Sequence, residues 1–332
     1  MRLLIVLPGA LGDVIRGLPL LGRLRRAHPD AVLGWVVEPL SAPLLEAHPW
    51  LDRVHRFERR RGIRGYLAVA RDVRDAEYDV ALDLGRSAKS AILVAASGAP
   101  RRIGFARGDS REGAWLVATE HLAPQGIERA KLEQFLAFGG HLGIHDPVVE
   151  FGLRVADDDA AAAATLLDGL SEPLVAACVG SSCPSRRWWP ERTAAVLDTM
   201  HERAGTSAVV LGASADAEFG DAVVSHMRSP VRMLAGRTTL PELGAVLARA
   251  QLAFGPDSGA LHLAAALGVP VVSLWGATSA LRSTPFGSER WTITGRTACS
   301  PCFLKECPIG RECMRTIAVP DVVALAQQAL AA

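Results

Sequence analysis

Short apolar runs alternate with stretches of helical periodicity along the whole chain. In the first half, apolar runs of strand length occur at 2–7, 31–37, 79–84 and 101–105. Apolar positions recur at helical spacing near 13–27, 63–75, 87–97 and 128–142. Unbroken apolar runs are typical of strands buried on both faces. Strands that alternate with helices of this length predict a parallel sheet.

The same alternation begins again in the second half. Strands are predicted at 173–180, 207–212, 231–234, 252–255 and 270–275. Helices are predicted at 190–205, 215–227, 239–250 and 258–267. An acidic helix start at Asp157–Asp159 and an alanine-rich helix connect the two halves. We therefore predict an α/β protein with two doubly wound parallel-sheet domains, at 1–155 and 156–332.

The turn after the first strand carries an acid. The chain reads PGALGDVIRGLP at 8–19, so that Asp13 lies where the strand gives way to a helix. Asp13 has two interpretations: an acid at a helix start, favoured by the macrodipole, or a general base at the carboxyl end of a strand, where ligands of this architecture bind.

Two further turns of this kind lie in the second half. The turn after 173–180 reads SSCPSRRWWPE, and its hydroxyl groups, arginines and helix start suit a phosphate group; these residues are Ser181, Ser182, Arg186 and Arg187. The turn after 252–255 offers a second helix start, with Asp257, Ser258, Gly259 and His262. A capped helix that contains an ordinary histidine is the alternative interpretation of this second turn.

Composition excludes several classes of protein. Hydrophobic residues make up 49% of the 332 residues and the net charge is +1, which indicates a globular chain rather than a disordered or nucleic-acid-binding one. No apolar run reaches the roughly 18–20 residues of a membrane span, and the first residues lack a signal-peptide pattern. We expect a cytoplasmic location. Arginine clusters at 53–74 and 101–111 suggest an anionic partner for the first half.

Four of the six cysteines lie close together near the end of the chain, at Cys299, Cys302, Cys307 and Cys313. Four thiolates at this spacing predict a tetrahedral structural zinc or iron site without an open coordination position. The alternatives are two disulfides, which a reducing cytoplasm disfavours, or free thiols. Cys178 lies in an apolar run and is expected in the core.

The order of these motifs resembles glycosyltransferase family nine, the ADP-heptose:lipopolysaccharide heptosyltransferases. The resemblance rests on the cysteine-rich tail and on three segments: LGDVIRGLP at 11–19, SSCPSRRWWPE at 181–191, and LAGRTTLPELGAVLARAQLAFGPDSGALHLAAALGVPVVSLWGAT at 234–278. It implies the GT-B fold, with two Rossmann-like domains facing a central cleft. The acceptor then binds the N-terminal domain and the nucleotide sugar binds the C-terminal one. The last helix could pack back on the N-terminal domain.

The resemblance also implies roles for individual residues. Asp13 is the catalytic base of an inverting reaction that needs no catalytic metal. Arg187 stands at the basic position that contacts the donor diphosphate, and the N–H groups of Gly259, Ala260 and Leu261 hold the same diphosphate. Asp257 contacts the sugar. The other expected donor-site residues are Ser181, Ser182, Ser258 and His262.

We therefore expect a glycosyltransferase that moves heptose from ADP-heptose to a lipopolysaccharide inner-core acceptor. Arg60, Arg61 and Arg64 are the candidates for binding the anionic, lipid-linked acceptor. Such an acceptor implies peripheral contact with the cytoplasmic face of the inner membrane. Two alternatives remain: transfer of another nucleotide-activated sugar to a cell-surface glycan, or a non-catalytic or redox binding protein with an Fe–S cluster on the same fold.

Overall fold

Two six-stranded sheets, each with all strands parallel, organise the chain. The computed structural model describes residues 1–126 and 128–332. These residues form two compact units, Met1–Leu153 and Arg154–Ala332, and each unit contains one of the sheets.

Among its described residues, the first unit has six strands and five helices. Its strands are β1 Arg2–Val6, β2 Val32–Val37, β3 Arg53–Arg56, β4 Val80–Asp83, β5 Arg101–Gly104 and β6 Glu120–His121. Its helices are α1 Leu11–Ala27, α2 Ala42–Glu46, α3 Ile63–Asp75, α4 Ala88–Ser97 and α5 Lys131–His141. Short 3-10 turns are found at Arg59–Arg61, Arg107–Asp109 and Ala114–Val117.

The second unit has six strands and eight helices among the residues described. Its strands are β7 Leu174–Cys178, β8 Ser207–Leu211, β9 Val231–Met233, β10 Leu252–Pro256, β11 Val271–Trp275 and β12 Thr292–Thr294. Its helices are α6 Asp157–Leu166, α7 Pro190–Ala204, α8 Ala217–Ser225, α9 Leu240–Ala248, α10 Gly259–Ala266, α11 Ala280–Ser283, α12 Glu312–Arg315 and α13 Val319–Leu330.

Both sheets reverse their strand order at the centre. The first sheet has the order β3-β2-β1-β4-β5-β6, and the second has the order β12-β11-β10-β7-β8-β9. The chain thus starts in the middle of each sheet, moves to one side, and returns to the other. In such sheets ligands bind beside the carboxyl ends of the two central strands. The turns that follow β1 and β4, and those that follow β7 and β10, are therefore the places where chemistry is expected.

The cores lie between each sheet and its helices. In the first unit β1 is almost completely buried, and the apolar face of α1 packs on it through Val14, Leu18 and Leu21. In the second unit the apolar face of α7 packs on the sheet beside Trp188. This burial of apolar surface on both faces of each sheet is the main stabilising contribution to the fold.

The predicted fold class, two doubly wound parallel sheets, is confirmed. The pattern missed the three short strands β3, β6 and β12, which lie in the outer parts of the sheets and carry polar residues. Helix α13 packs against α7 and against β10 and β11 of its own unit. Among the residues described, no helix is both long and apolar enough to cross a bilayer.

Candidate functional site

Asp13 lies in the first turn of α1, immediately after the central strand β1. The N-cap position of this helix is Ala10, and Asp13 is the third helical residue. The dipole of α1 favours a carboxylate at that position. Asp13 is thus an acid of the first helical turn, and its carboxylate makes no N-cap hydrogen bond but contacts the cationic side chains of Arg16 and Lys131.

Arg16 and Lys131 contact the same oxygen of Asp13. Arg16 Nη1 donates to Oδ1 over 2.6 Å, and Lys131 Nζ donates to it over 2.8 Å. The side chain of Arg16 is 8% exposed, whereas those of Asp13 and Lys131 are about a quarter exposed, at 26% and 25%. Asp13 is therefore an ion-paired carboxylate that a molecule at the sheet edge can reach.

Lys89 joins the turns that follow three neighbouring strands. Its ammonium group donates to the carbonyl of Pro8 after β1 and to the carboxylate of Glu38 after β2, each over 2.8 Å. Lys89 itself follows β4 at the start of α4. One cation thus fixes the loops on both sides of the point where the strand order reverses.

Asp83 organises the turn after β4. Its Oδ1 accepts hydrogen bonds from the backbone N–H groups of Gly85 and Arg86, over 3.0 and 3.3 Å. Burial raises the pKa of Asp83 to about 6, and hydrogen bonds from Ser90 and from these two N–H groups limit that rise. Arg86 in this turn has a left-handed backbone conformation, with φ 61°. Its guanidinium donates a hydrogen bond to the side-chain oxygen of Gln134 in α5 over 2.9 Å.

The three arginines predicted to bind the acceptor lie farther out on the same sheet edge. Arg60 and Arg61 belong to the 3-10 turn that follows β3, and Arg64 lies in the first turn of α3. All three are exposed. Because β3 is two strands from β1, the structure places them on the outer part of the edge rather than next to Asp13.

In the second unit, Arg187 is fixed by an acid that follows β8. Its Nη2 donates to Oδ1 of Asp216 over 2.6 Å. Asp216 is buried and also accepts the backbone N–H of Ala213 over 3.0 Å. The guanidinium carbon of Arg187 lies 5.5 Å from the ring of Phe219. Arg187 is thus held at the carboxyl end of β7, at the centre of the second sheet, with part of its guanidinium still able to bind a ligand.

Asp257 is held in a similar way after β10. Arg186 Nη1 lies 3.0 Å from its Oδ2, and the hydroxyl of Thr278 donates to the same oxygen over 2.9 Å. Ser181 donates to the backbone carbonyl of Asp257 over 3.5 Å. The structure therefore brings together the three turns that follow β7, β10 and β11.

Helix α10 begins directly after Asp257. Ser258 is its N-cap residue, and the first turn begins with Gly259, Ala260 and Leu261. Within the described part of the chain, the buried Ser258 hydroxyl makes no hydrogen bond. The first turn contains no acidic side chain, so the free N–H groups of this turn remain suited to an anion. His262 is buried within the same helix.

The cysteine-rich tail is attached to the turn that carries Arg187. Ser185 donates its hydroxyl to the carbonyl of Leu304 over 2.5 Å and its N–H to that of Lys305 over 3.0 Å. Arg311 donates to the carbonyl of Arg187 over 2.8 Å, and its guanidinium carbon lies 4.4 Å from the ring of Trp189. The tail thus supports the backbone of the turn.

The same tail reaches the turn after β11. The hydroxyl of Ser300 donates to the carbonyl of Gly276 over 2.5 Å, and the N–H of Phe303 donates to that of Ala277 over 2.7 Å. A Cβ atom at Gly295 would lie 1.7 Å from the carbonyl oxygen of Cys313, so this close approach requires glycine. The tail is a packed part of the second unit.

All six cysteines lie among the described residues and carry free thiols. Cys178 is in the core, as predicted, and its burial raises the pKa of the thiol to about 12. Burial also raises the pKa of Cys313, and the neighbouring charges of Cys302, Cys299 and Cys307 raise it further. The other three thiols therefore lie within electrostatic reach of Cys313. Among residues 1–126 and 128–332, the structure shows no group of three His, Cys, Asp or Glu side chains already placed to hold a metal ion.

Sequence reasoning missed several charged and polar partners of the residues in both sites. Lys131 and Arg16 surround Asp13, and Thr278 holds Asp257. Only Arg16 was open to detection, because an acid and an arginine three residues apart share a helix face. Lys131 is one of the few lysines in an arginine-rich chain, but its spacing gives no sign of the contact.

Comparison with known proteins agrees with this architecture. The family model described as glycosyltransferase family 9 (heptosyltransferase) matches residues 66–312. The lipopolysaccharide core heptosyltransferase OpsX of Haemophilus influenzae is 25% identical over 282 residues, which cover 84% of this chain and 80% of the relative.

Two solved structures show the same fold. A glycosyl transferase of family 9 from Veillonella parvula superposes with a TM-score of 0.85 at 24% identity, covering 99% of this chain and 97% of its own. The E. coli ADP-heptose lps heptosyltransferase II superposes with a TM-score of 0.81 at 22% identity, covering 100% of this chain and 99% of its own. The chain, with its two Rossmann-like sheets, therefore has the GT-B fold class.

The raised pKa of Asp83 predicts a pH-dependent stability. Because the folded protein holds the proton up to about pH 6, against 3.8 for the ordinary carboxyl, the free energy of unfolding falls as the pH rises through this window. The loss is at most about 3 kcal/mol. Asp83→Asn keeps the acceptor oxygen and removes the titration. We expect its stability relative to wild type to rise between pH 4 and 7.

Urea unfolding at several pH values measures this difference. Asp79→Asn is the control, because it removes a carboxylate from the opposite end of the same strand. Parallel stability curves for wild type and Asp83→Asn would show that folding does not raise the pKa of Asp83.

Proposed function

The chain belongs to glycosyltransferase family 9, and we propose on this basis that it moves heptose from ADP-heptose to a lipopolysaccharide inner-core acceptor with inversion at the anomeric carbon. The family makes it a glycosyltransferase rather than a redox binding protein. Heptose and ADP are suggested by relatives that carry those names. The observation that carries the proposal is the accessible carboxylate of Asp13 at the point where the first sheet reverses its order.

Asp13 acts as the general base in this proposal. Its carboxylate accepts the proton of the acceptor hydroxyl while that oxygen forms a bond to the anomeric carbon. The bond between this carbon and the diphosphate oxygen breaks, and ADP leaves with the electron pair. Arg16 and Lys131 orient the carboxylate and are therefore positioning residues.

The second unit binds the donor in this proposal. Arg187 and the N–H groups of Gly259, Ala260 and Leu261 stabilise the negative charge that develops on the leaving diphosphate. The carboxylate of Asp257 accepts hydrogen bonds from hydroxyl groups of the sugar. The remaining donor-site residues are Ser181, Ser182, Ser258 and His262. The contacts of Arg187 with Asp216, and of Asp257 with Thr278, support this assignment because they fix both side chains before a ligand arrives.

The first unit binds an anionic, lipid-linked acceptor in this proposal. Arg86 and Lys89 lie at the same edge as Asp13 and its two cations, and Arg60, Arg61 and Arg64 extend the basic edge outward. Phosphate and carboxylate groups of an inner-core lipid would form charge-assisted hydrogen bonds with the cationic side chains along this edge. A lipid-linked acceptor places the enzyme in peripheral contact with the cytoplasmic face of the inner membrane.

We also propose that Cys299, Cys302, Cys307 and Cys313 bind a structural Zn or Fe ion. Thiolates are preferred protein ligands of both metals, and the position of the other three thiols within electrostatic reach of Cys313 supports the assignment; binding would bring the four thiols closer together. When bound, the ion would act as a cross-link within the tail. It supplies no step of the transfer reaction.

Asp13→Asn tests the base. The substitution removes the proton acceptor and keeps the side-chain shape, so turnover should fall by about 10²–10⁴. The affinity for ADP, measured by calorimetry, should stay near wild type because the proposed donor site belongs to the second unit. Turnover is measured with saturating ADP-heptose and heptose-deficient lipopolysaccharide.

The control for this experiment is Asp52→Asn, which removes another carboxylate paired with an arginine of α1, namely Arg25. Asp52 precedes β3 and lies at the opposite edge of the sheet. Near-wild-type turnover of Asp13→Asn at saturating substrates would rule out Asp13 as the base.

Arg187→Ala tests the diphosphate contact. Loss of a charge-assisted contact should weaken ADP binding by about 10- to 100-fold. Arg187→Lys keeps the charge near the buried Asp216 and should lose less. Calorimetry with ADP gives the dissociation constants, and Arg203→Ala, at the far end of α7, is the control. Unchanged ADP affinity in a folded Arg187→Ala variant removes Arg187 from the donor site.

Elemental analysis tests the metal proposal. Anaerobically purified wild type should contain about one equivalent of Zn or Fe, and Cys302→Ser/Cys307→Ser should lose both the metal and part of the thermal stability. Because the tail supports the turn of Arg187, this variant should also bind ADP more weakly. Cys178→Ala, which changes a core thiol, should keep the metal. A metal-free wild type would refute the site.

A further inference from the structure

The first two turns of α3 and the 3-10 turn before them expose apolar and basic side chains together. Ile63 is 76% exposed and Leu67 is 53% exposed, although both are large aliphatic residues. Exposed arginines surround them, and we call the group the α3 surface: Arg59, Arg60, Arg61, Ile63, Arg64, Leu67 and Arg71.

Helix geometry places these side chains on one face. Within α3, Leu67 is four residues from both Ile63 and Arg71 and three from Arg64, so these side chains follow one another along the outer side of the helix. The opposite face carries the buried Gly65, Val69 and Val73, through which the helix packs into the first unit. Helix α3 thus packs into the first unit through this buried face alone, and the exposed side chains of Ile63 and Leu67 do not contribute to the core.

The charge of the α3 surface is strongly positive. It has five arginines, and Glu58 contacts one of them, Arg61, at 3.7 Å. The helix itself carries two acids toward its far end, Asp72 and Asp75. A carboxylate oxygen of Asp72 lies 2.6 Å from Nδ1 of His55. A surface that interleaves arginines with exposed aliphatic side chains matches an anionic lipid interface.

The position of this surface in the fold supports the same partner. Arg59–Arg61 follows β3 directly, so it lies at the carboxyl edge of the sheet, which is the edge of Asp13. Two strand spacings, about 10 Å, separate β3 from β1. Leu40, 76% exposed, follows the intervening strand β2 and adds a third apolar side chain to this edge.

We propose that the α3 surface docks the protein on an anionic lipid bilayer, with Ile63 and Leu67 inserted among the acyl chains and the arginines on the headgroups. The inference deepens the proposed transfer to a lipid-linked acceptor, on which it rests. A headgroup sugar that emerges from the bilayer then lies at the same sheet edge as the base.

Vesicle sedimentation tests the docking directly, without any sugar transfer. Wild type should bind vesicles that contain phosphatidylglycerol and not pure phosphatidylcholine vesicles, and high salt should weaken the binding. Ile63→Ser/Leu67→Ser should reduce partitioning by about tenfold or more. Arg59→Gln/Arg71→Gln should also reduce partitioning into these vesicles, by about fivefold for each arginine removed.

Ile92→Ser is the matched control, because Ile92 is a 54% exposed isoleucine on α4, outside the basic cluster. It should bind vesicles as wild type does. Equal binding of wild type to neutral vesicles, or unchanged binding of the Ile63→Ser/Leu67→Ser variant, overturns the proposal. So does a dimer that this variant dissociates in sedimentation velocity, since the surface is then an interface between two copies.

Activity measurements separate this proposal from the proposed function. With the acceptor embedded in phosphatidylglycerol vesicles, Ile63→Ser/Leu67→Ser should lose most of its transfer rate. With a deacylated, water-soluble acceptor it should keep the wild-type rate. Loss of both rates would make Ile63 and Leu67 part of the acceptor site and reject bilayer docking. A wild type that binds anionic vesicles but transfers no heptose would refute the proposed function alone.

Discussion

The reversal of strand order at the centre of each sheet is the constraint on which both candidate sites depend. Parallel strands all end at one edge, and at the reversal the connections leave in opposite directions, which opens a crevice beside the two central strands. Asp13 follows β1, and Asp83 ends the neighbouring strand β4; in the second unit the corresponding pair of turns carries Arg187 and Asp257. Each site thus combines turns that are distant in sequence.

The parts of the fold that are buried on both sides were predictable from sequence. Strands such as β1 and β7 consist of unbroken apolar runs, because helices cover both faces of the sheet. The outer strands β3 and β6 carry arginine, histidine and glutamate, and their pairing depends on a neighbouring strand rather than on their own pattern. Whether such a segment forms a strand depends on the order of strands in the sheet, and the periodicity of a single segment carries no information about that order.

The candidate site was predictable to the extent that it follows from single turns. Asp13 and Arg187 could be identified because each stands in a characteristic motif between a strand and a helix. Their distant partners could not be identified, since Lys131 is 118 residues from Asp13 and Asp216 is 29 residues from Arg187. The four cysteines suggested a metal site by spacing alone, whereas the packing of their segment against the turn of Arg187 depends on backbone contacts of Ser185 and Arg311.

Charge pairing explains how a carboxylate can lie within a basic edge. An anion-binding surface needs several cations close together, and these repel one another unless acids lie between them. Asp13 with Arg16 and Lys131, and Glu38 with Lys89, meet this need in the first unit. The same contacts orient each side chain before a substrate arrives, so little reorganisation is needed during the reaction. The ion pairs that keep the basic edge stable are therefore also the contacts that aim the proposed base.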